Sequence, residues 1–197
     1  MYSHAKRREY RAVGSVFFQA EVGVRVFCLS RGLGDMYERQ SGWFSGTLLG
    51  NSVETELERI KPQLELFAAL SAPVIVYGET WQTVQNRQDQ PLNNKPVLAD
   101  SDFPAYGERL TEVAEYCKSQ GVPMAYHHHM GTGVETEREL DMAMNNTGDS
   151  VGLLLDTGHL LFAGGDILRV LENHGHRINP FHAKAIRAVS YTLLQPN

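Results

Sequence analysis

Cysteine is nearly absent: Cys28 and Cys117 are the only thiols in 197 residues. Two thiols cannot build a disulfide framework, and Cys117 falls on the apolar face of a predicted helix, where a reduced, buried thiol is the usual state. A reducing cytoplasm is therefore the expected compartment. Long hydrophobic runs are missing too; none approaches the roughly 18 apolar residues that a bilayer-spanning helix requires. The basic start, "HAKRREYR", leads into an apolar stretch that Glu21 interrupts, and no small-residue cleavage site follows, so no secretory signal is predicted. Positive charge is scarce: 18 Lys and Arg against 23 Asp and Glu leave a formal net charge of −5. That balance argues against nucleic acid or an anionic membrane as partner, since both draw on clustered cations. Also lacking is a glycine-rich phosphate-binding turn after any strand, which counts against a nucleotide-binding open sheet.

What is present is an ordinary globular composition, 42% hydrophobic and 21% charged, in a chain long enough for one domain with a sizeable core. Leu57, Ile60, Leu64 and Phe67 recur at helical spacing and predict a helix from Val53 to about Leu70, capped by Asn51 or Ser52. "APVIVYGET" reads as a buried strand ending at Glu79. The polar loop from Gln82 to Asp100 exceeds the usual connection length. Leu110, Val113, Ala114 and Cys117 then mark a second helix, with Asp102 as N-cap and Gly121 as stop. "VPMAYHHH" is the next strand, Thr136 and Glu139 are spaced as a capping box for a third helix, and "VGLLLDTGH" is another strand. Asp166 caps a short helix carrying Ile167, Leu168 and Leu171, and "RINPFHAKAIR" closes the series as a strand. Nearly continuous apolar strands alternating with helices imply an α/β fold with a helix-covered parallel sheet, here a β/α barrel.

Barrel chemistry sits at the C-terminal strand ends. Here those ends carry Glu79, His127 and His129, Asp156 and His159, and His182 and Lys184. The internal run "AYHHHMGTGVETERELD" is no affinity tag, and in a strand His127 and His129 share one face while His128 points the other way. Imidazole and carboxylate donors from successive strand ends suit a borderline or hard divalent cation with a position open for substrate, which makes His127, Asp156 and His182 the candidate metal ligands. Each has a plainer alternative: Asp156 before "TGH" can cap a turn, and His182 can be a hydrogen-bonded core histidine. Lys184 shares the face of His182 and can polarise a substrate oxygen or sit as a solvated rim lysine. Glu79 stays open between base, ligand and rim charge. Trp43 and Trp81 are candidate pocket walls or core residues. His174 and His176, in "HGHR", are assigned to the opposite rim and to no chemistry.

The blocks "SGWFSGTL", "VIVYGET", "YGERLTEVAEYCKSQGVPMAYHHHMGTGVET", "VGLLLDTGHLLFAGGDILRVLENHGHRI" and "HAKAIR" together resemble the inosose dehydratase family, within the xylose isomerase-like TIM barrel superfamily. The likeness covers about Ser41 to Arg187. It implies a lyase of inositol catabolism that removes water from 2-keto-myo-inositol to give a trihydroxycyclohexane-1,2-dione, using manganese or cobalt, with glutathione associated with the activity. By position it implies His127 on the fifth strand, where the superfamily usually has Glu, Asp156 on the sixth and His182 on the seventh. The superfamily's eighth-strand Glu has no counterpart before Asn197, and "MYSHAKRREYRAVG" matches nothing in the pattern. A partial barrel lacking the first strands and the last strand is therefore expected: residues 1–40 a divergent segment, 41–187 the incomplete barrel domain, and 188–197 a tail. Open sheet edges invite pairing with another chain, including a homo-oligomer. The implied partner is a small polyol or cyclitol ketone, with neither nucleic acid nor membrane. Base and acid must reach the α-carbon and the departing hydroxyl, for which His129, Glu79 and His159 are the candidates, with Lys184 on the substrate oxygen. Two alternatives stay open: a metal-dependent ketose isomerase or epimerase of the same superfamily, and a non-catalytic remnant.

Overall fold

The computed structural model describes residues 42–85, 87 and 89–182, and among these five strands are hydrogen-bonded in chain order. The 1–40 segment, the 188–197 tail and Lys184 lie outside the described residues. The strands are β1 (Gly42–Gly46), β2 (Ile75–Glu79), β3 (Met124–His127), β4 (Val151–Asp156) and β5 (Ile178–His182), all parallel. Helix α1 (Val53–Ala69) joins β1 to β2, α2 (Phe103–Ser119) joins β2 to β3, and α3 (Glu137–Asn145) joins β3 to β4. Between β4 and β5 run α4 (Thr157–Phe162) and α5 (Ile167–His174). Sequential parallel strands with a helix in each crossover are the winding of a (β/α) barrel, here in part.

Local chemistry sets the helix boundaries. Ser52 Oγ accepts the Thr55 N–H at 3.3 Å and starts α1. The capping box of α3 forms as predicted: Thr136 Oγ1 accepts the Glu139 N–H at 3.2 Å, and the Glu139 carboxylate accepts the Thr136 N–H at 2.9 Å. Asp166 Oδ1 accepts the Leu168 and Arg169 N–H groups and starts α5. Asp102 departs from its expected role, because its carboxylate accepts the Ala99 N–H in the preceding single turn rather than capping α2. The inward stripe of α5 also differs: Val170 and His174 are buried, while Leu168 and Leu171 are exposed. The cause is a contact of His174 Nε2 with Asp141 Oδ1 at 2.6 Å, which turns that side of α5 toward α3. His174 precedes β5 and so lies at the rim away from the strand C-termini, as expected.

Because helix-covered parallel strands bury both faces, their residues alternate between two apolar surroundings. Ile75, Tyr77, Met124, Tyr126, Leu153 and Leu155 pack with Ile60, Leu64, Leu110 and Val113 in the main core between sheet and helices. Each such fully buried aliphatic side chain contributes about 1.5–3 kcal/mol. Cys117 sits in this layer, and burial pushes its thiol up to about 12, far from the reactive thiolate. Val74, Val76, Ala125 and Leu154 form a separate small cluster on the other, concave face. Register pairs Trp43 with Val76 and His127 with Leu154, so Trp43 and His127 lie on the concave face. Asp156 shares the parity of Leu154 and belongs there too, whereas Glu79 has the parity of Ile75 and Tyr77 and faces the helices. Among the described residues no helix is long and apolar enough to cross a membrane.

Candidate functional site

The C-terminal ends of β3 and β4 bring three imidazoles together. His127 is the last residue of β3, His129 follows in the next loop, and His159 sits in the first turn of α4 directly after β4. One ligand atom from each lies within 4.8 Å of the others. The His129 and His159 ring centroids are 3.8 Å apart, and the His127 ring lies 5.3 Å from His159 and 5.6 Å from His129.

Each ring is held by its surroundings. His129 Nδ1 lies 2.7 Å from the Met130 carbonyl, an acceptor only, so Nδ1 carries a proton. The loop carrying His129 is pinned by its own backbone, with Thr132 Oγ1 donating to the His129 carbonyl at 2.8 Å. Gly131 makes the turn at φ +77, and its N–H donates to Glu135 at 2.7 Å. Asp156 Oδ1 accepts the N–H groups of Gly158 and His159 at 2.9 and 3.1 Å, which starts α4 and fixes where His159 stands. Its other oxygen lies 3.5 Å from His159 Nε2. Burial, followed by the neighbouring His128, His159 and His129, pushes the His127 imidazole well below its usual range. His127 is therefore neutral at pH 7, the form that offers a lone pair.

The expected residues fall into separate places. His127, His129 and His159 converge, and Asp156 contacts His159. The backbone of His182 is paired with Asp156 across β4 and β5, and its side chain lies outside what is described. His128 points to the helix side as predicted, where its Nε2 accepts the Asp156 N–H at 3.3 Å. Glu79 is drawn away from the histidines: its carboxylate accepts the Trp81 N–H at 2.9 Å and the Leu49 N–H at 3.2 Å, with the Tyr106 hydroxyl at 3.4 Å. Burial raises the pKa of its carboxyl, in part opposed by those donors. Sequence reasoning missed Lys95, whose ammonium pairs with Glu139 at 2.7 Å and reaches the Thr132 carbonyl at 3.3 Å, tying the long loop after β2 to the histidine loop. A lone lysine in a polar loop carries no signal of that partner.

The chain is 42% identical over 155 residues to the rhizopine catabolism protein MocC of Rhizobium meliloti, covering 78% of this chain and 48% of that protein. It is 36% identical over 149 residues to the inosose dehydratase of Geobacillus thermodenitrificans, covering 75% and 50%. The chain thus spans about half the length of the curated relatives it matches. Among solved structures, the probable 3-DHS dehydratase AsbF of Bacillus anthracis superposes with a TM-score of 0.57 at 16% identity, over 77% of this chain and 52% of that one, a likeness of fold. The strand-by-strand winding and these likenesses agree with the match of residues 6–192 to the model of one family: the chain belongs to the xylose isomerase-like TIM barrel family.

Proposed function

We propose that this chain carries the metal-holding strand ends of a hydro-lyase that dehydrates a cyclic polyol ketone, with 2-keto-myo-inositol as substrate and a trihydroxycyclohexane-1,2-dione as product. The convergence of three imidazole donors within 4.8 Å carries the reading. The likeness to an inosose dehydratase supplies the substrate class. The donor set fits a divalent cation: His127 is neutral, His129 has its tautomer set by a backbone carbonyl, and His159 has a carboxylate behind it, the supports that metal-ligating imidazoles use. In this proposal His127, His129 and His159 hold the cation, and Asp156 orients His159. His129 and His159 are thereby assigned as donors rather than as proton carriers. The rival assignment, read from the strand ends and implied again by resemblance, is His127, Asp156 and His182.

When bound, such a cation polarises the substrate carbonyl and acidifies the adjoining C–H bond. Three nitrogen donors suit cobalt better than manganese, which favours oxygen. Glu79 is left out of the chemistry, because its carboxylate faces the helix layer and is engaged by two backbone N–H groups. Lys184 is proposed to bind a substrate oxygen. Glutathione enters through resemblance alone, and its addition to the assay tests it. The decisive experiment titrates the full chain with Co2+, follows the visible absorption bands, and incubates the loaded protein with 2-keto-myo-inositol and with simple ketoses. Diketone absorbance supports a dehydratase. Interconversion of ketoses instead replaces that reading with an isomerase, and bands that are absent, or unchanged in His127→Ala, remove the site.

A further inference from the structure

Beside the histidines lies an aromatic surface that the metal site does not use. Trp43, the second residue of β1, projects from the concave face, and its indole crosses over Gly78 of β2. A Cβ at position 78 would stand 1.9 Å from the indole Cη2, so only glycine lets the ring lie there. The indole N–H donates to Ser45 Oγ at 3.0 Å, on the same face two residues along the strand. The His127 ring meets the indole edge-on, with centroids 5.5 Å apart and planes at 85°. The Trp43 carbonyl accepts the Gln63 side-chain N–H at 2.6 Å, which ties this point of β1 to α1. Held on these sides, Trp43 is still 37% exposed, whereas Val76 next to it in register is buried. A large flat ring fixed in place, open to solvent and touching a metal-site histidine offers an apolar face to whatever occupies the mouth.

We propose that Trp43, seated by Gly78 and set against His127, is the platform on which the carbon ring of a cyclic polyol substrate stacks, and that it selects cyclic over open-chain ketones. The inference rests on the functional reading above and deepens it by naming a specificity-determining residue. A cyclohexane ring with equatorial hydroxyls points its C–H bonds up and down, so its two faces are apolar and its rim is polar. Such a ring can lay one face on an indole while its rim oxygens turn toward the imidazole cluster. An open-chain ketose has no comparable flat apolar face to present. Gly78 is a positioning residue, acting through the indole.

The test uses the full chain with Trp81→Phe as background, leaving Trp43 as the only tryptophan, and compares Trp43→Leu, Trp43→Phe and Gly78→Ala. Affinity for 2-keto-myo-inositol and for L-erythrulose, a ketose too short to close a five- or six-membered ring, is measured by calorimetry, with Co2+ bands and melting curves recorded for every variant. Saturating 2-keto-myo-inositol is expected to shift the Trp43 emission. Trp43→Leu should weaken the cyclic ketone by about tenfold, and Trp43→Phe by less, since aromatic stacking is worth up to ~1.5 kcal/mol and 1.4 kcal/mol is tenfold. Gly78→Ala should match Trp43→Leu although the indole is retained, and the Co2+ bands should not change. Under turnover the loss should appear in KM with kcat little altered. Should Trp43→Leu melt early, the comparison of Trp43→Phe with Gly78→Ala decides alone. Unchanged affinity for the cyclic ketone, or equal weakening of both ketones, overturns the platform. A wild-type chain that takes up Co2+ and binds neither ketone overturns the substrate reading and the platform together. Discriminating binding without Co2+ uptake keeps the platform and sinks the metal centre.

Discussion

Replacing Asp156 by Asn separates the two tasks that the structure gives this carboxylate. Oδ1 caps α4 through two N–H groups, at 2.9 and 3.1 Å, and α4 is only six residues long. Removing a capping side chain costs about 1 kcal/mol, and up to ~2 kcal/mol where the helix depends on it. Asn is as good a cap as Asp, so Asp156→Asn should stay within a few tenths of a kcal/mol of wild type, while Asp156→Ala pays the full loss. Metal binding should respond differently. Oδ2 lies 3.5 Å from His159 Nε2 and favours a proton there, which leaves the lone pair on Nδ1. An Asn amide turned toward Nε2 donates instead and reverses the tautomer. Both variants should therefore bind Co2+ about 10–100-fold more weakly, the usual cost of losing a carboxylate behind a ligating imidazole. Urea denaturation of the apo protein and Co2+ titration at fixed pH read the two effects independently. If Asp156→Asn binds Co2+ as wild type does, the carboxylate has no part in the metal centre; if it loses as much stability as Asp156→Ala, the capping account is wrong.

Three further outcomes test the frame around the site. Burial holds the folded His127 imidazole well below the ordinary histidine value of about 6.5, so the unfolded chain takes up this proton first as pH falls. The stability linked to neutral His127 is complete above about pH 6.5 and is lost as pH drops toward the folded value; apo denaturation at pH 7.5 and 5.5 should show the decline, and His127→Gln should flatten it. Glu79→Gln leaves an amide that can accept only one of the Leu49 and Trp81 N–H groups, which predicts a loss of about 1–3 kcal/mol in urea with Co2+ affinity unchanged. A Cβ on Gly107 would lie 2.0 Å from the Asn146 carbonyl oxygen, so Gly107→Ala should force α2 off the end of α3 and cost about 1–3 kcal/mol in the same assay.

Much of the fold was legible because each element carries its own local signal. The Thr136–Glu139 box, the Asp166 cap and the Leu57-to-Phe67 stripe act over a few residues, and the structure forms each where the spacing puts it. Helix α4 was hidden because its signal, Asp156 before "TGH", is equally that of a turn, and six residues are too few to show helical periodicity. The exposed side of α5 was hidden for a different reason. Its orientation follows from His174 meeting Asp141, 33 residues earlier in the chain, and such a pairing leaves no local pattern.

The histidines were legible in type and in relative facing, whereas the acids were legible in type and illegible in their sides. Glu79 and Asp156 look alike in sequence, each an acid closing an apolar run, yet one faces the helices and the other the concave surface. A half-buried antiparallel strand would have announced its phase through alternating polar and apolar residues. In "VIVYGE" and "VGLLLD" both faces are buried, so apolar residues fill both and the phase is erased. Only register recovers it: Val76 aligns with Trp43 and with Ala125, Leu154 aligns with His127, and counting outward places each acid. That count also explains how a tryptophan three residues before the end of β1 comes to lie against an imidazole at the end of β3. With Gly78 offering no side chain, the Trp43 indole reaches along the concave face to the ring of His127, and the same parity that removes Glu79 from the mouth brings Trp43 into it.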